Sequence, residues 1–191
     1  SIVKDGGAAY AALGTEGSKG RKLFCLSGAV AKPGIYEVEF GITLRQLIEL
    51  GGGMRGGSTM QAILLGGAAG GFVGPNDLDL PLTMEATRAA GSSLGSGVVM
   101  VLDQSVDMVD QLRRIAAFFR DESCGQCVPC RVGTVRQEEI VSRLAKGVQS
   151  QDIELLRELG TVMRDASICG LGQTANSAID SAINKLKVFA V

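Results

Sequence analysis

The sequence predicts an α+β protein, in which a small β-grasp (ubiquitin-like) sheet domain over residues 1–104 precedes an all-α four-helix bundle over residues 105–191. The first half is rich in glycine and alternates short apolar runs with turn signals, whereas the second half has few glycines and carries apolar residues at helical spacing. With 191 residues, 46% of them hydrophobic, the chain is long enough to build a core in each half.

Short apolar segments in the first half have the composition of β-strands. The four predicted strands are Lys22–Ser27, Ile35–Phe40, Ala62–Leu65 and Val98–Leu102. In the second of these, Tyr36, Val38 and Phe40 share one face and alternate with glutamates, as in a half-buried strand. Cys25 lies in the first, apolar strand, where we expect it to be a small buried hydrophobe.

A short helix is predicted between the second and third strands. Thr43 is placed to cap it, Leu44, Leu47 and Ile48 lie on one side, and three consecutive glycines from Gly51 end it. A hairpin followed by a crossing helix and further strands is typical of a β-grasp sheet domain.

Four amphipathic helices are predicted in the second half, and their short connections indicate an up-down-up-down bundle. They cover Val106–Asp121, Thr134–Val148, Asp152–Asp165 and the segment from Thr174 to the end. Thr134 with Gln137 also matches a capping box, which would begin the second helix at Thr134.

Charge and composition exclude several classes of function. The chain has 19 Lys and Arg against 20 Asp and Glu, with no basic stripe and no interleaved aromatic residues, so we expect no nucleic-acid partner. No apolar run is long enough to span a bilayer and no signal-peptide layout is present, which predicts a cytoplasmic protein without direct membrane insertion. The absence of histidine excludes any mechanism that needs an imidazole from this chain. The start at Ser1 without an initiator methionine suggests a processed or excised piece of a longer protein.

The cysteines form the most informative pattern. There are five, an odd number, and Cys124, Cys127 and Cys130 follow a C-x2-C-x2-C spacing that is poorly suited to disulfides. These three fall between the first and second predicted helices, and Cys169 falls between the third and fourth. Because the first and third connections of an antiparallel bundle lie at the same end, we expect the four thiols to converge.

The spacing favours a four-iron–four-sulfur cluster. A cubane needs four thiolates at its corners; a tight turn with Cys at every third position can supply three, and Cys169 the fourth. Zinc is more typically held by two separate C-x2-C pairs or by Cys with His, and neither is present. The bacterial ferredoxin run would have a further Cys where Thr134 stands, so a two-cluster ferredoxin is not predicted.

Other residues allow both a functional and a structural interpretation. Arg131 and Arg136 are cations near the predicted cluster and would raise its reduction potential, although both also suit solvent-facing helix positions. The glycine-rich segments Gly14–Lys19, Gly51–Gly57 and Gly66–Gly71 match no nucleotide-binding motif and are interpreted as turns. Gly66–Gly71 remains a candidate for lining a site that another domain completes.

Two cysteine-bearing segments carry a family resemblance. Glu122–Thr134, followed by Ser167–Gly172, resembles the NADH-binding flavoprotein subunit family. That family includes the 51-kDa-type subunit of respiratory complex I, the diaphorase subunit of NAD-reducing hydrogenases and the beta subunit of NAD-dependent formate dehydrogenases. The segments Ser18–Gly20, Lys22–Gly28 and Pro33–Tyr36 are similar to that family's soluble-ligand-binding β-grasp (SLBB) domain.

The resemblance implies electron transfer in an NAD(H)-dependent oxidoreductase. It assigns the cluster ligands to Cys124, Cys127, Cys130 and Cys169, and it implies FMN and NAD(H) bound by a domain to which nothing in this chain corresponds. We therefore expect no NADH oxidation by these 191 residues alone. The implied partners are a 2Fe-2S thioredoxin-like subunit and a larger iron–sulfur catalytic subunit. Within the family, Val128 and Pro129 favour a soluble formate dehydrogenase or hydrogenase. A complex I subunit would instead be membrane-peripheral.

Two other functions stay open at this point. The four cysteines would also suit a zinc-stabilised interaction module without redox activity, which would be colourless where an iron–sulfur protein is brown. A carbohydrate- or cofactor-binding β-grasp protein would account for the first half but leaves the four cysteines unexplained.

Overall fold

The computed structural model describes residues 2–190 and has a mixed α+β architecture. The chain divides into two compact units. The first extends up to Gly67 and includes Val73–Gln104, and the second consists of Ala68–Phe72 with the residues from Ser105 on. Within the second unit, the Phe72 N–H donates a 2.7 Å hydrogen bond to Ser181 Oγ, which ties the inserted segment to the last helix.

A five-stranded sheet has the strand order β2-β1-β5-β3-β4. Its strands are β1 Arg21–Gly28, β2 Gly34–Glu39, β3 Met60–Leu65, β4 Gly71–Val73 and β5 Val98–Asp103. β1 pairs antiparallel with β2 and parallel with β5, and β3 pairs antiparallel with β5. The four predicted strands overlap β1, β2, β3 and β5, whereas the short β4 was not predicted.

Four short helices accompany the sheet strands along the chain: α1 Ile2–Asp5, α2 Gly7–Ala11, α3 Leu44–Leu50 and α4 Met84–Ala89. The predicted cap of α3 is confirmed, because Thr43 Oγ1 accepts from the Gln46 N–H and Gln46 Oε1 accepts from the Thr43 N–H. α3 buries Leu44, Leu47 and Ile48 as predicted. Helices α1, α2 and α4 were missed, since segments of four to six residues show too little periodicity.

The expectation that Cys25 is buried is wrong. Side chains alternate across a strand, and Phe24 and Leu26 both point into the core of the first unit. Cys25, between them, therefore points to the opposite face and is exposed. An apolar stretch in the sequence does not reveal which of its residues face the core.

Five helices follow β5: α5 Met108–Glu122, α6 Val128–Leu144, α7 Ser150–Ala166, α8 Gly170–Thr174 and α9 Ser177–Lys185. α6 packs on both α5 and α7, and α8 packs on α6 and α7. The fourth predicted helix is wrong in its start and its continuity, because a short α8 ends at Thr174 and the chain breaks at Ala175 and Asn176 before α9 begins.

The predicted capping box at Thr134 is also wrong. α6 begins six residues earlier, at Val128, with Pro129 in its first turn, where the missing proline N–H costs no hydrogen bond. Thr134 and Gln137 are therefore interior and fully buried. Thr134 Oγ1 donates to the Cys130 carbonyl at 2.9 Å, and Gln137 Nε2 donates to the Ala175 carbonyl at 3.0 Å, which fastens α6 to the end of α8.

None of the helices formed by residues 2–190 is long and apolar enough to cross a membrane.

Candidate metal centre

Three of the predicted ligands lie where α5 gives way to α6. Cys124 is in the loop and is exposed, Cys127 is the N-cap of α6, and Cys130 lies in the first turn of α6 and is only 5% exposed. Gly125 has φ +73°, a left-handed conformation that lets the loop turn sharply between the first two cysteines. The motif therefore spans the loop and the helix start, whereas the sequence placed all of it in the connection.

The fourth predicted ligand lies where α7 gives way to α8. Ser167 is the C-cap of α7, and Cys169 is the N-cap of α8 and is exposed. Two hydrogen bonds hold this turn: the Ser167 N–H donates to the Met163 carbonyl at 3.1 Å, and Gln173 Nε2 donates to the Ser167 carbonyl at 3.0 Å. Both bonds fix the turn at Ser167.

Contacts at Gly172 bring the two cysteine-bearing segments together. A Cβ placed on Gly172 would lie 2.3 Å from Ser167 Oγ and 2.8 Å from the Cβ of Cys130. Only glycine allows the backbone of α8 to approach so closely. Cys130 therefore lies against the turn that presents Cys169, although 39 positions separate the two in sequence.

The thiols influence one another's ionisation. Burial raises the pKa of Cys130, because it disfavours the thiolate. The Ser123 hydroxyl opposes this, whereas charge repulsion from Cys127, Cys169 and Cys124 raises the pKa further. The structure thus brings all four predicted ligands into one neighbourhood.

Two backbone amides lie beside the thiol of Cys127. The pKa of Cys127 lies below its ordinary value, first because the Ile168 amide and then because the Cys130 amide stabilises its thiolate. The nearby Ser167 hydroxyl lowers this pKa further. Ile168 belongs to the α7–α8 turn and Cys130 to α6, so both segments contribute donors to the same sulfur.

Two hydroxyl groups that the sequence analysis did not single out also lie at the site. Ser123 Oγ is 3.3 Å from Cys130 Sγ and accepts from the Gly125 N–H at 3.3 Å. Ser167 Oγ is buried and lies near the Cys127 thiol, whose pKa it lowers, but it forms no hydrogen bond of good geometry within the described residues. Both serines stand one or two positions from a cysteine, which was the available signal, but only the fold shows where their hydroxyls lie.

The two arginines predicted near the cluster, Arg131 and Arg136, have different surroundings. Arg136 forms an ion pair with Glu139 at 2.6 Å on the exposed side of α6, in agreement with the structural interpretation. No ion pair of Arg131 is found among residues 2–190, and its Cδ lies 3.9 Å from the position that a Cβ on Gly125 would take. Arg131 is thus the cation that lies beside the cysteine loop.

The donor set fits an iron–sulfur cluster. Four thiols from two segments converge, with amide N–H groups and two hydroxyls around them, and a 4Fe-4S cubane requires four thiolates. In the part of the chain that the structure describes, no three His, Cys, Asp or Glu side chains are grouped closely enough to hold a single metal ion. A cubane needs a different arrangement, because each of its corner irons takes a thiolate of its own.

Comparisons with known proteins find two family models in this chain. Residues 110–188 match the NADH-ubiquinone oxidoreductase-F iron–sulfur binding region, which contains all four cysteines of the site. Residues 23–73 match the SLBB domain.

Relatives along nearly the whole chain are also found. It is 37% identical to the HndC subunit of an NADP-reducing hydrogenase from Solidesulfovibrio fructosivorans, over 96% of this chain and 38% of that protein. It is 37% identical to the F subunit of NADH-quinone oxidoreductase from Mycobacterium tuberculosis, over 98% of this chain and 42% of that protein. A crystal structure of an NAD+-reducing [NiFe]-hydrogenase in the H2-reduced state superposes with a TM-score of 0.87 at 36% identity, covering 98% of this chain and 32% of that one. The chain thus spans less than half the length of these relatives.

Proposed function

We propose that this chain, which belongs to the NADH-binding flavoprotein subunit family, is the electron-transfer portion of an NAD(H)-dependent flavin and iron–sulfur oxidoreductase. It would relay electrons between FMN, held outside these residues, and the iron–sulfur clusters of a partner. One observation carries the proposal: the two segments that resemble the family's cluster motif meet at one place, with Cys130 packed against the turn of Cys169.

Cys124, Cys127, Cys130 and Cys169 would hold a 4Fe-4S cluster, which supplies one-electron transfer when bound. Cys130 anchors the site on the buried side, and its packing against Gly172 sets the distance to the α7–α8 turn. The amides of Ile168 and Cys130 stabilise the thiolate at Cys127. On the solvent side, Cys124 and Cys169 form the accessible edge through which we propose that electrons are exchanged.

The proposal extends to the rest of the assembly. FMN and NAD(H) would bind outside these 191 residues, and the partners would be a 2Fe-2S thioredoxin-like subunit and a larger iron–sulfur catalytic subunit. We propose a cytoplasmic location, membrane-peripheral in a complex I-type assembly. We also propose two domains. Residues 1–104 would form a β-grasp domain, and residues 105–191 would form a four-helix domain that holds the cluster.

Iron and acid-labile sulfide, measured per chain together with an EPR spectrum after anaerobic dithionite reduction, test the proposal. We expect about four of each and a fast-relaxing S = 1/2 signal. Zinc without sulfide would contradict electron transfer and support a structural metal module instead.

Substitution of single cysteines tests the ligand assignment. We expect Cys169→Ser to lose or degrade the cluster about as severely as Cys127→Ser, because each would remove one corner of the same cubane. Cys25→Ser is the matched control, since Cys25 lies on the sheet and should keep full iron content. A Cys169→Ser protein with full iron and an unchanged spectrum would exclude Cys169 as a ligand.

A further inference from the structure

Ser167 has a buried hydroxyl that forms no well-aligned hydrogen bond, although it lies near the Cys127 thiol. The residue is 6% exposed, and its Oγ makes no hydrogen bond of good geometry within residues 2–190. Unpaired polar groups of this kind are rare, because leaving one unsatisfied in the interior lowers the stability of the fold. Its backbone N–H and carbonyl are both engaged, and its side chain lies against Gly172. The hydroxyl is therefore held in place beside the thiols.

Ser123 presents a second hydroxyl with a defined direction. Its Oγ already accepts from the Gly125 N–H, so its own proton is free to be donated. The atom 3.3 Å away is Cys130 Sγ. A cysteine bound to iron has lost its proton, so the hydroxyl would be the donor and the sulfur the acceptor.

We infer that Ser167 and Ser123 donate hydrogen bonds to the sulfurs of the cluster and thereby raise its reduction potential. The inference rests on the proposed function. Reduction adds negative charge that is shared by the sulfurs, and a hydroxyl donor stabilises that charge more in the reduced state than in the oxidised state. Two segments far apart in sequence thus each contribute one donor, Ser123 at the end of α5 and Ser167 at the end of α7.

The test is a redox titration of the cluster EPR signal in the assembled protein that contains this chain. Ser167→Ala and Ser123→Ala should each shift the reduction equilibrium about tenfold towards the oxidised cluster, which is about 59 mV for one electron. Ser123→Thr keeps a hydroxyl and should restore the wild-type potential. Ser142→Ala, which changes a serine further along α6, is the matched control and should leave the potential unchanged.

A spectroscopic measurement detects the two serine hydroxyl protons directly. ENDOR of the reduced cluster in H2O and D2O should show exchangeable couplings in the wild type, one of which is lost in Ser167→Ala and another in Ser123→Ala. A serine that only fills space at the site would leave these couplings in place.

Wild-type potentials and couplings in both alanine variants would overturn the inference. If Ser167→Ala fails to hold its cluster, the comparison of Ser123→Ala with Ser123→Thr decides whether the inference stands. A lowered potential in Ser123→Ala that Ser123→Thr restores supports the inference, and an unchanged potential overturns it. A wild-type protein without iron and sulfide would overturn the proposed function and this inference with it, whereas a clustered wild type with insensitive potentials overturns the inference alone.

Discussion

At the scale of single residues, the four cysteines differ in burial and in their hydrogen-bond donors. Cys130 is buried, Cys127 lies beside two backbone amides, and Cys124 and Cys169 are exposed. A cluster bound here would be shielded on its Cys130 side and open at the exposed pair. Val128 and Ile168, which each adjoin a cysteine, are large apolar residues that are 71% and 74% exposed at that open edge.

The two arginines near the cysteine loop should have different effects. We expect Arg131→Gln to lower the reduction potential of the cluster by tens of millivolts, about 59 mV for each tenfold change in equilibrium, because it removes a cation beside the loop. Arg136→Gln is the matched control, since Glu139 already neutralises Arg136. Spectroelectrochemical titration of both variants checks this prediction, and equal potentials for the two would contradict it.

At the scale of elements, helix α8 packs against α6 and holds the turn of Cys169 beside Cys130. Its glycines have different surroundings: a Cβ on Gly172 would collide with Ser167 and Cys130, whereas nothing lies within 4 Å of a Cβ on Gly170. The close approach of α8 to α6 therefore depends on Gly172.

We expect Gly172→Ala to reduce cluster content and to lower the free energy of unfolding by about 1–3 kcal/mol, the usual cost of overpacking. Gly170→Ala, on the same short helix, should change neither. Iron analysis and chemical denaturation of the two variants measure the effect. Full iron content and unchanged stability in Gly172→Ala would show that α8 can move away without consequence.

The loop before β1 is held by a carboxylate from α4. Thr15 Oγ1 and the buried Ser18 Oγ donate to the two oxygens of Glu85, at 2.9 and 2.6 Å. The pKa of Glu85 lies below its ordinary value, chiefly because of the Ser18 hydroxyl. The glycine-flanked loop thus surrounds a carboxylate of its own chain, in line with its interpretation as a turn.

This contact predicts a pH dependence of stability. Because the folded-state pKa of Glu85 is lower than its unfolded value near 4.5, its contribution is fully present above that value and is lost as the pH falls through the folded-state pKa. Glu85→Gln should therefore flatten the fall in stability between about pH 6 and about pH 3. Glu16→Gln, at an exposed position of the same loop, is the control. Urea midpoints across that range give the answer, and parallel curves for Glu85→Gln and wild type would contradict the prediction.

For the whole molecule, the cysteine site belongs to one of the two units. All four thiols lie in the second unit, and two of them cap helices. Metal ligation that joins α6 to α8 should therefore couple to the folding of that unit.

Removal of the metal by chelation should lower hydrogen-exchange protection in α6, α7 and α8 more than in β1, β3 and β5. Exchange measured residue by residue on the loaded and the chelated protein tests this expectation. An equal loss of protection in both units would count against it.

Local patterns in the sequence predicted those features that depend on neighbours along the chain. Short apolar runs located four of the strands, Thr43 located the start of α3, and the cysteine spacing identified the candidate ligands. The same kind of pattern gave a wrong prediction at Thr134, because α6 begins at Val128 with Pro129 in its first turn. A local capping signal cannot show that the helix started six residues earlier.

By itself, the sequence determined the succession of sheet and helices and the four cysteines that resemble the family's cluster motif. Only the tertiary structure decided that Cys25 faces outwards, that Gly172 packs against Cys130, and that the buried Ser167 hydroxyl lies beside the thiols. The physical reason is that periodicity and capping act between residues a few positions apart. Close approach between segments about forty positions apart depends on how helices pack, and packing is settled by the whole unit at once.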